Sequence, residues 1–442
     1  MGERITVERM GYGSAAVGRR ADGKTVFVEG AAPGDVVEVQ VTEEKTAFAR
    51  ARVERVLEPS PARAREGSAC KASCGGCPWA HLSYEAQLEA KRANVADALA
   101  RTARLGAERA EELVLPCIPS KRTWGYRNKL EMGAGADAQG RLVLGFYREG
   151  THELDTPASC PLAHACIARA PKALQGALRF AQGAQDLGIF RVGVRGSLRT
   201  HDVEVALWTR PGPFPRTHVA RMMKSALRAT SVVRVLADPG RARAVKGVEA
   251  LEGRGWWEED LAGARLGAAA PSFFQVNTAQ AERLVEDACA GLGGGDALAG
   301  AFVADLYAGV GTFSVSLARL GADVVAVESS GPAVRDLRRN AERNGVDVEV
   351  VGGDAARELP DLGELDFLVV DPPRAGLAKG VVEDIARAAP ARVAYVSCDV
   401  ATWARDVARF EACGYRLSRV RPVDLFPQTY HVEVSSTFER VG

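Results

Sequence analysis

The sequence contains no apolar run approaching the ~20 residues that a membrane-spanning helix needs. Its opening residues, Met1 to Met10, carry Glu3, Arg4, Glu8 and Arg9 where a signal peptide would place an apolar core. Cysteine is scarce, odd in number and unevenly placed, nine in 442 residues, which does not suit a secreted disulfide scaffold. Net charge is almost absent: 57 Lys and Arg against 56 Asp and Glu leave +1. No internal repeat is evident. These absences lead to the expectation of a soluble, cytoplasmic protein with no membrane partner. What is present, 47% hydrophobic and 26% charged residues, is ordinary for a globular chain, and the length suits about three domains.

The near-zero total charge hides a local excess. Between 191 and 246, Arg191, Arg195, Arg199, Arg210, Arg216, Arg221, Lys224, Arg228, Arg234, Arg241, Arg243 and Lys246 face only Asp202, Glu204 and Asp238. A phosphate backbone is one partner for such a stretch. A solvated, Arg-rich face is an equally open reading.

Residues 1–60 read as a small OB-like β-barrel. The alternating runs Thr25–Glu29 and Asp35–Val41 are separated by turn signals at Ala21–Gly23 and Pro33–Gly34. A third run, Ala47–Leu57, alternates small apolar residues with Arg50, Arg52 and Arg55 before Pro59 and Pro61 close the unit. Small barrels with one basic face bind single-stranded nucleic acid, although a purely structural barrel fits the pattern too. Residues 61–265 form an α+β middle segment. It opens with a cysteine-rich turn, Cys70–Cys77, and a helix over Tyr84–Leu105, then mixes strand-like runs (Lys129–Met132, Leu142–Tyr147, Phe190–Val194, Val203–Trp208) with helical ones (Ala163–Phe180, Arg216–Leu227).

From 266 to 442 the pattern becomes regular. After a flexible Gly/Ala stretch, Gly291–Gly300, strands at Phe302–Ala308, Asp323–Ser329, Val348–Asp354, Leu365–Pro373 and Arg392–Asp399 alternate with helices at Thr312–Leu320, Pro332–Asn344, Val381–Ala388 and Ala401–Cys413. The last two strands, Tyr415–Phe426 and His431–Arg440, follow with no helix between them and predict a terminal hairpin. This is the pattern of a doubly wound, Rossmann-like α/β sheet of the methyltransferase type.

Ligands of such sheets sit at the carboxyl ends of the strands. The first strand ends Asp305-Leu-Tyr307-Ala-Gly309-Val-Gly311, where glycines let the backbone approach a ligand at a helix N-terminus. A dinucleotide enzyme shares that feature. The second strand ends in Glu328, placed for ribose hydroxyls, and the third in Gly353-Asp354, placed for an adenine edge. The fourth ends Asp371-Pro372-Pro373-Arg374, a stiff, donor-poor turn that presents Asp371 and its carbonyl to a planar base. Nicotinamide chemistry has no use for that combination, so S-adenosyl-L-methionine is preferred.

The fifth strand ends in Ser397-Cys398-Asp399, which puts a thiol on the same edge. A lone cysteine there is commonly inert core. The closing motif Phe426-Pro-Gln-Thr-Tyr-His-Val-Glu433 supplies a carboxylate, with the hairpin neighbour of the last strand expected beside the central strands.

With these residues together, the chain resembles the RNA uracil-C5 methyltransferases. The resemblance rests on Ser272-Phe-Phe-Gln275-Val-Asn277, the Asp305–Ser314 loop, Asp371–Leu377, Val396-Ser-Cys398, the Phe426–Glu433 motif, Gly125–Lys129 and Leu144–Tyr147. Specifically, it resembles the 23S ribosomal RNA members with an N-terminal TRAM barrel and an iron–sulfur cluster. The resemblance implies Cys398 as nucleophile on uracil C6 and Glu433 as the base for the C5 proton. It also implies a cofactor-side set of Gln275, Tyr307, Gly309, Glu328, Asp354 and Asp371. Within that set Gln275 bridges cofactor and substrate, and Asp371 holds the uracil. The target base must leave its stack, so looped or single-stranded RNA is expected, in 23S rRNA or alternatively in tRNA. Asp399 stands where the family has Asn, and its carboxylate is expected to point away from the thiol, whose ionisation it would otherwise oppose.

Cys70-x3-Cys74-x2-Cys77 with Cys160 supplies four soft ligands, suited to an iron–sulfur cluster or tetrahedral zinc. The resemblance favours a 4Fe–4S cluster, with zinc second. The same spacing fits a radical S-adenosylmethionine enzyme, but a fourth cysteine would close the cluster and a separate cofactor sheet is already present. Cys117, Cys166, Cys289 and Cys413 read as core or incidental, and His431 as a shaper of the cleft. A monomer is expected. A non-catalytic RNA-binding or ribosome-assembly factor is the alternative from another class.

Overall fold

The computed structural model describes residues 3–65, 70, 72–183, 185–240 and 244–441. Arg241 and Arg243 of the basic stretch lie outside the described residues.

At the N-terminus, strands Glu3–Met10, Ala16–Arg19, Thr25–Glu29, Val36–Glu44 and Phe48–Glu58 close a five-stranded barrel. Alternation explains it. Ile5, Val7, Val26, Val28, Val37, Val39, Ala49 and Ala51 point inward and are almost completely buried, whereas the intervening charged residues point out. The first two strands complete a barrel of which the sequence pattern reveals only three. Trp79 and Leu82, from beyond the barrel, fill its open end and join the same core.

The middle sheet has seven strands in the order Gly247–Glu252, Ser231–Leu236, Val203–Thr209, Ile189–Gly196, Lys129–Ala136, Leu142–Tyr147 and Leu154–Asp155. Helices Ala170–Gln182 and Arg216–Leu227 cover it with Leu174, Leu178, Val219 and Met223. The helix expected over 163–180 starts afresh at Ala170, with Pro171 in its first turn.

The basic stretch is not a free cationic surface. Arg195 and Arg234 are buried. Arg191 pairs with Glu131, Arg199 with Glu282, Arg210 with Asp186, Arg216 with Glu249, Lys224 with Glu252 and Lys246 with Asp238. Among its described members, only Arg221 and Arg228 enter no ion pair. Acidic residues mostly outside the 191–246 window neutralise what a linear count leaves positive.

The C-terminal sheet runs Glu349–Gly352, Asp323–Glu328, Phe302–Leu306, Phe367–Val370, Arg392–Ser397, Glu433–Arg440, Tyr415–Val423. The first five are parallel, and the apolar runs of the inner four are buried on both faces, whereas the edge strand Glu349–Gly352 is partly exposed. The last strand is antiparallel to both neighbours. It is therefore the strand of Glu433, and not its hairpin neighbour, that lies beside the central strands. Helices Thr312–Arg319, Gly331–Arg343, Val381–Ala388 and Val400–Ala412 follow the parallel strands.

The Gly291–Gly300 stretch is not a flexible link. Helix Thr278–Leu292 runs into it, capped at its start by the Asn277 side chain. Gly293, at φ 115°, ends that helix, and a second short helix, Gly294–Leu298, follows.

Residues 84–118 pack against this sheet. Helix Tyr84–Arg101 buries Val95, Ala96 and Leu99 in the sheet's core, and Val114 and Ile118 bridge to Val420 and Val423 at its edge. A buried ion pair, Lys91 with Asp424, joins the helix to the chain before Glu433. Tyr84 Oη also donates to Asp424 at 2.7 Å. Among the described residues no helix is long and apolar enough to cross a membrane.

Candidate active site

Five parallel strands end on one edge, and the strand-end residues singled out from the sequence stand there. After Phe302–Leu306, Tyr307 takes φ 65°, a left-handed conformation that is costly for an aromatic residue. Gly309 and Gly311 follow at φ 58° and 89°. A Cβ on Gly309 would face open space, whereas one on Gly311 would press on Leu337 Cγ at 3.1 Å. The first glycine thus leaves a cradle and the second allows close helix packing. Glu328 accepts from the amides of Gly309 at 2.9 Å and Ser330 at 2.6 Å, which fixes its carboxylate beside the loop. Asp354 caps the next helix by accepting from Ala356 N at 3.0 Å. Asp305, completely buried, accepts from Ser314 Oγ through one oxygen and leaves the other without a partner. Burial pushes its carboxyl up to about 7.

Asp371 stands at the end of Phe367–Val370, where burial and the neighbouring Asp305 push its carboxyl up to about 7. Gln275 is buried on the segment before helix Thr278–Leu292, its carbonyl accepting from Asn128 Nδ2 at 2.8 Å. Cys398 follows Arg392–Ser397. Its thiol is pushed up to about 12 by burial, then by Glu433 and Asp371, with Arg374 opposing. Glu433 is buried, with one carboxylate oxygen unpartnered. Burial, with Asp371 adding to it, holds its carboxyl well above the usual range against the pull of Arg374. Thiol, two carboxyls and a guanidinium therefore share one cleft, and at neutral pH the thiol holds its proton.

Asp399 points away from the thiol, as expected. Its Oδ1 accepts from Thr402 N at 2.9 Å and Thr402 Oγ1 at 3.0 Å, capping helix Val400–Ala412. His431 packs against Tyr430, with ring centroids 4.3 Å apart, and against Phe426. Burial lowers its pKa to about 4, so it is neutral at pH 7.

Two residues were not singled out from the sequence. Arg374 was read only as the end of its motif, yet its charge reaches Cys398, Glu433, Tyr12 and His431. Tyr12 comes from the barrel, and its hydroxyl accepts from Val400 N at 3.3 Å, two residues beyond Cys398. The only signal in the sequence was an aromatic residue between glycines, Gly11-Tyr12-Gly13.

The cysteine set is only partly gathered. Burial raises the Cys74 and Cys160 thiols, and the charge of Cys70 acts on both. The turn holding Cys74 is tied to the middle sheet through Asp155, which accepts from Ser73 N at 2.6 Å and Ser73 Oγ at 3.0 Å. Among the described residues, however, no group of three or more His, Cys, Asp or Glu side chains is arranged to hold a metal ion. Among the described residues, the expected ligand set of Cys70, Cys74, Cys77 and Cys160 is therefore not gathered into such a group.

Residues 266–441 match the family described as tRNA (uracil-5-)-methyltransferase, and residues 3–53 match the TRAM domain. An uncharacterized RNA methyltransferase of Gloeobacter violaceus is 35% identical over 99% of this chain and 96% of its own length. Another, from Thermosynechococcus vestitus, is 34% identical over 97% and 96%. Among solved structures, the Pyrococcus abyssi tRNA (uracil-54, C5)-methyltransferase in complex with S-adenosyl-L-homocysteine superposes with a TM-score of 0.75 at 25% identity, covering 98% of this chain and 99% of that one.

Proposed function

The chain belongs to the RNA uracil-5-methyltransferase family, and from that premise we propose that it methylates C5 of a specific uridine in 23S rRNA through a covalent bond between Cys398 and C6 of the base. The observation that carries the reading is the meeting of the Cys398 thiol, Glu433 and Asp371 at one strand edge. Transfer RNA is the second reading, favoured by the full-length likeness to a methyltransferase named for a tRNA uridine.

S-adenosyl-L-methionine, when bound, supplies an electrophilic sulfonium methyl group. In our reading Tyr307, Gly309, Glu328 and Asp354 hold it and Gln275 lies between it and the base. The open cradle at Gly309 and the fixed carboxylate of Glu328 support this assignment. Asp371 holds the uracil edge, and its raised pKa lets it donate or accept near neutrality. Cys398, once deprotonated, adds to C6 and makes C5 a nucleophilic, enolate-like carbon. Once C5 has received the methyl group, Glu433 takes the C5 proton, and the C6–S bond then breaks to return the thiolate. A carboxylate in this buried site is a stronger base than one in water, and that suits the step.

The division into a barrel over 1–60, a middle segment over 61–265 and a methyltransferase domain over 266–442 is kept as part of the proposal, with a monomer as the working unit. For the cysteines, spacing and the shared neighbourhood of Cys70, Cys74 and Cys160 support a metal site. About four iron and four sulfide per chain would identify a 4Fe–4S cluster, and zinc alone would identify the second choice. Metal-free, fully active protein would remove the site.

The functional test is incubation with methyl-labelled cofactor and either 23S rRNA or tRNA from a strain lacking the gene. Labelled 5-methyluridine in 23S rRNA, absent with Cys398→Ala, is expected. Label in tRNA alone moves the substrate, and label in another nucleoside overturns the uracil assignment.

A further inference from the structure

The loop between the first two barrel strands, residues 11–15, is held from several sides. Trp79 Nε1 donates to Gly13 O at 2.9 Å, Asn94 Nδ2 donates to Gly11 O at 3.2 Å, and Gly11 N donates to Ala15 O at 3.0 Å. Trp79 itself donates its backbone N–H to Gln428 O at 3.0 Å, so the loop, the helix at 84–101 and the 426–431 segment form one rigid corner. At the tip, Tyr12 reaches the start of the helix that follows Cys398. Its ring meets Tyr430 edge-on, with centroids 6.2 Å apart, yet the residue remains 40% exposed. Tyr12 is thus held at its hydroxyl and at its contact with Tyr430 while staying 40% exposed, beside the cleft that holds the thiol and two carboxyls.

We propose that Tyr12 is a base-stacking residue for the RNA substrate, and that the barrel thereby completes the active site across the domain boundary. Its ring and that of Tyr430 would form an aromatic corner that receives a base unstacked from single-stranded RNA. This rests on the functional reading above. Aromatic rings suit the task because every base offers a π-face, and a ring already set against Tyr430 loses little freedom on binding.

The test uses the full chain with Tyr12→Phe, Tyr12→Leu and Tyr12→Ala, each checked by thermal melting. Two readouts are taken: affinity for a uridine-containing single-stranded RNA, and KM and kcat for methyl transfer. Phe is expected to match the parent, whereas Leu and Ala bind RNA about tenfold more weakly, with KM raised more than kcat is lowered and cofactor affinity unchanged. Leu with parental RNA affinity overturns the proposal, because bulk without a π-face then suffices. Equal affinity in all four proteins overturns it too. If the parent transfers no methyl group but Leu and Ala still lose RNA affinity, the uracil reading falls and Tyr12 stands. If methyl transfer proceeds and Leu behaves as the parent, Tyr12 falls and the uracil reading stands.

Discussion

Cys398 and Glu433 lie one step beyond the last paired residues of two antiparallel strands. Ser397 stands opposite Val434, so the thiol and the carboxyl leave facing positions toward the same side of the sheet. Thirty-four residues of chain lie between them, including a helix and the edge strand Tyr415–Val423. A final strand inserted antiparallel into a parallel sheet brings its first residue to the edge where the parallel strands end. A parallel direction would send Glu433 to the opposite edge, and the place beside Arg392–Ser397 sets it next to Cys398.

Burial and two carboxyls raise the Cys398 thiol to about 12, so the free protein keeps it protonated at pH 7. Its alkylation by iodoacetamide, followed by mass spectrometry of its own peptide, should climb about tenfold per pH unit from 7 to 10. A plateau near the ordinary thiol range would show that the cleft does not suppress ionisation.

Arg374 is the guanidinium that opposes those shifts. Replacing it in Arg374→Gln should slow Cys398 alkylation at every pH and lower methyl transfer by at least about tenfold. Alkylation at the parental rate would show that its charge does not reach the thiol.

Asp371 titrates at about 7 in the fold, against an ordinary value of 3.8. Between those values the folded state holds the extra proton, so this group's contribution is fully present below pH 4 and is lost as pH rises through 7. Asp371→Asn cannot ionise. It should match the parent in thermal stability at acidic pH, exceed it at pH 8, and lose methyl transfer. Equal stability at both pH values would contradict the raised pKa.

The Asp399 carboxylate caps a helix and turns from the thiol. Asp399→Asn should therefore leave stability and Cys398 alkylation nearly unchanged, while Asp399→Ala costs ~1 kcal/mol. A large fall in thiol pKa in the Asn variant would place that carboxylate against the nucleophile.

Lys91 and Asp424 are both fully buried, and Lys91 Nζ also donates to Phe426 O at 3.0 Å. Lys91→Met strands a buried carboxylate and should cost about 3–5 kcal/mol in chemical denaturation. Methyl transfer should fall with it, because the same pair holds the segment leading to Glu433. A cost below 1 kcal/mol would mean that Asp424 is satisfied by Tyr84 alone.

Local pattern carried the strands and helices of the C-terminal sheet, because parallel strands buried on both faces show as apolar runs between turn signals. It also carried Cys398, Asp371 and the glycine loop, since strand ends are where such a sheet must place a ligand. Pattern failed at Glu3–Met10 and Ala16–Arg19, whose runs are short or charged and become strands only when the barrel closes. It failed at Gly291–Gly300, where glycines end helices and do not loosen the chain. The basic stretch misled because the residues that neutralise it lie outside the window counted: Asp186, Glu249 and Glu252 just beyond its ends, Glu131 and Glu282 far from it.

The sequence by itself determined the kind of chemistry: a thiol, carboxylates and a glycine loop at strand ends, each set by its own few neighbours. Tertiary structure alone decided which of them act together. Glu433 reaches Cys398 through strand order, Tyr12 reaches the same cleft from a different domain, and the pKa values of both carboxyls come from burial. Residue identity is local, whereas desolvation and long-range contact depend on what the rest of the chain excludes and brings near.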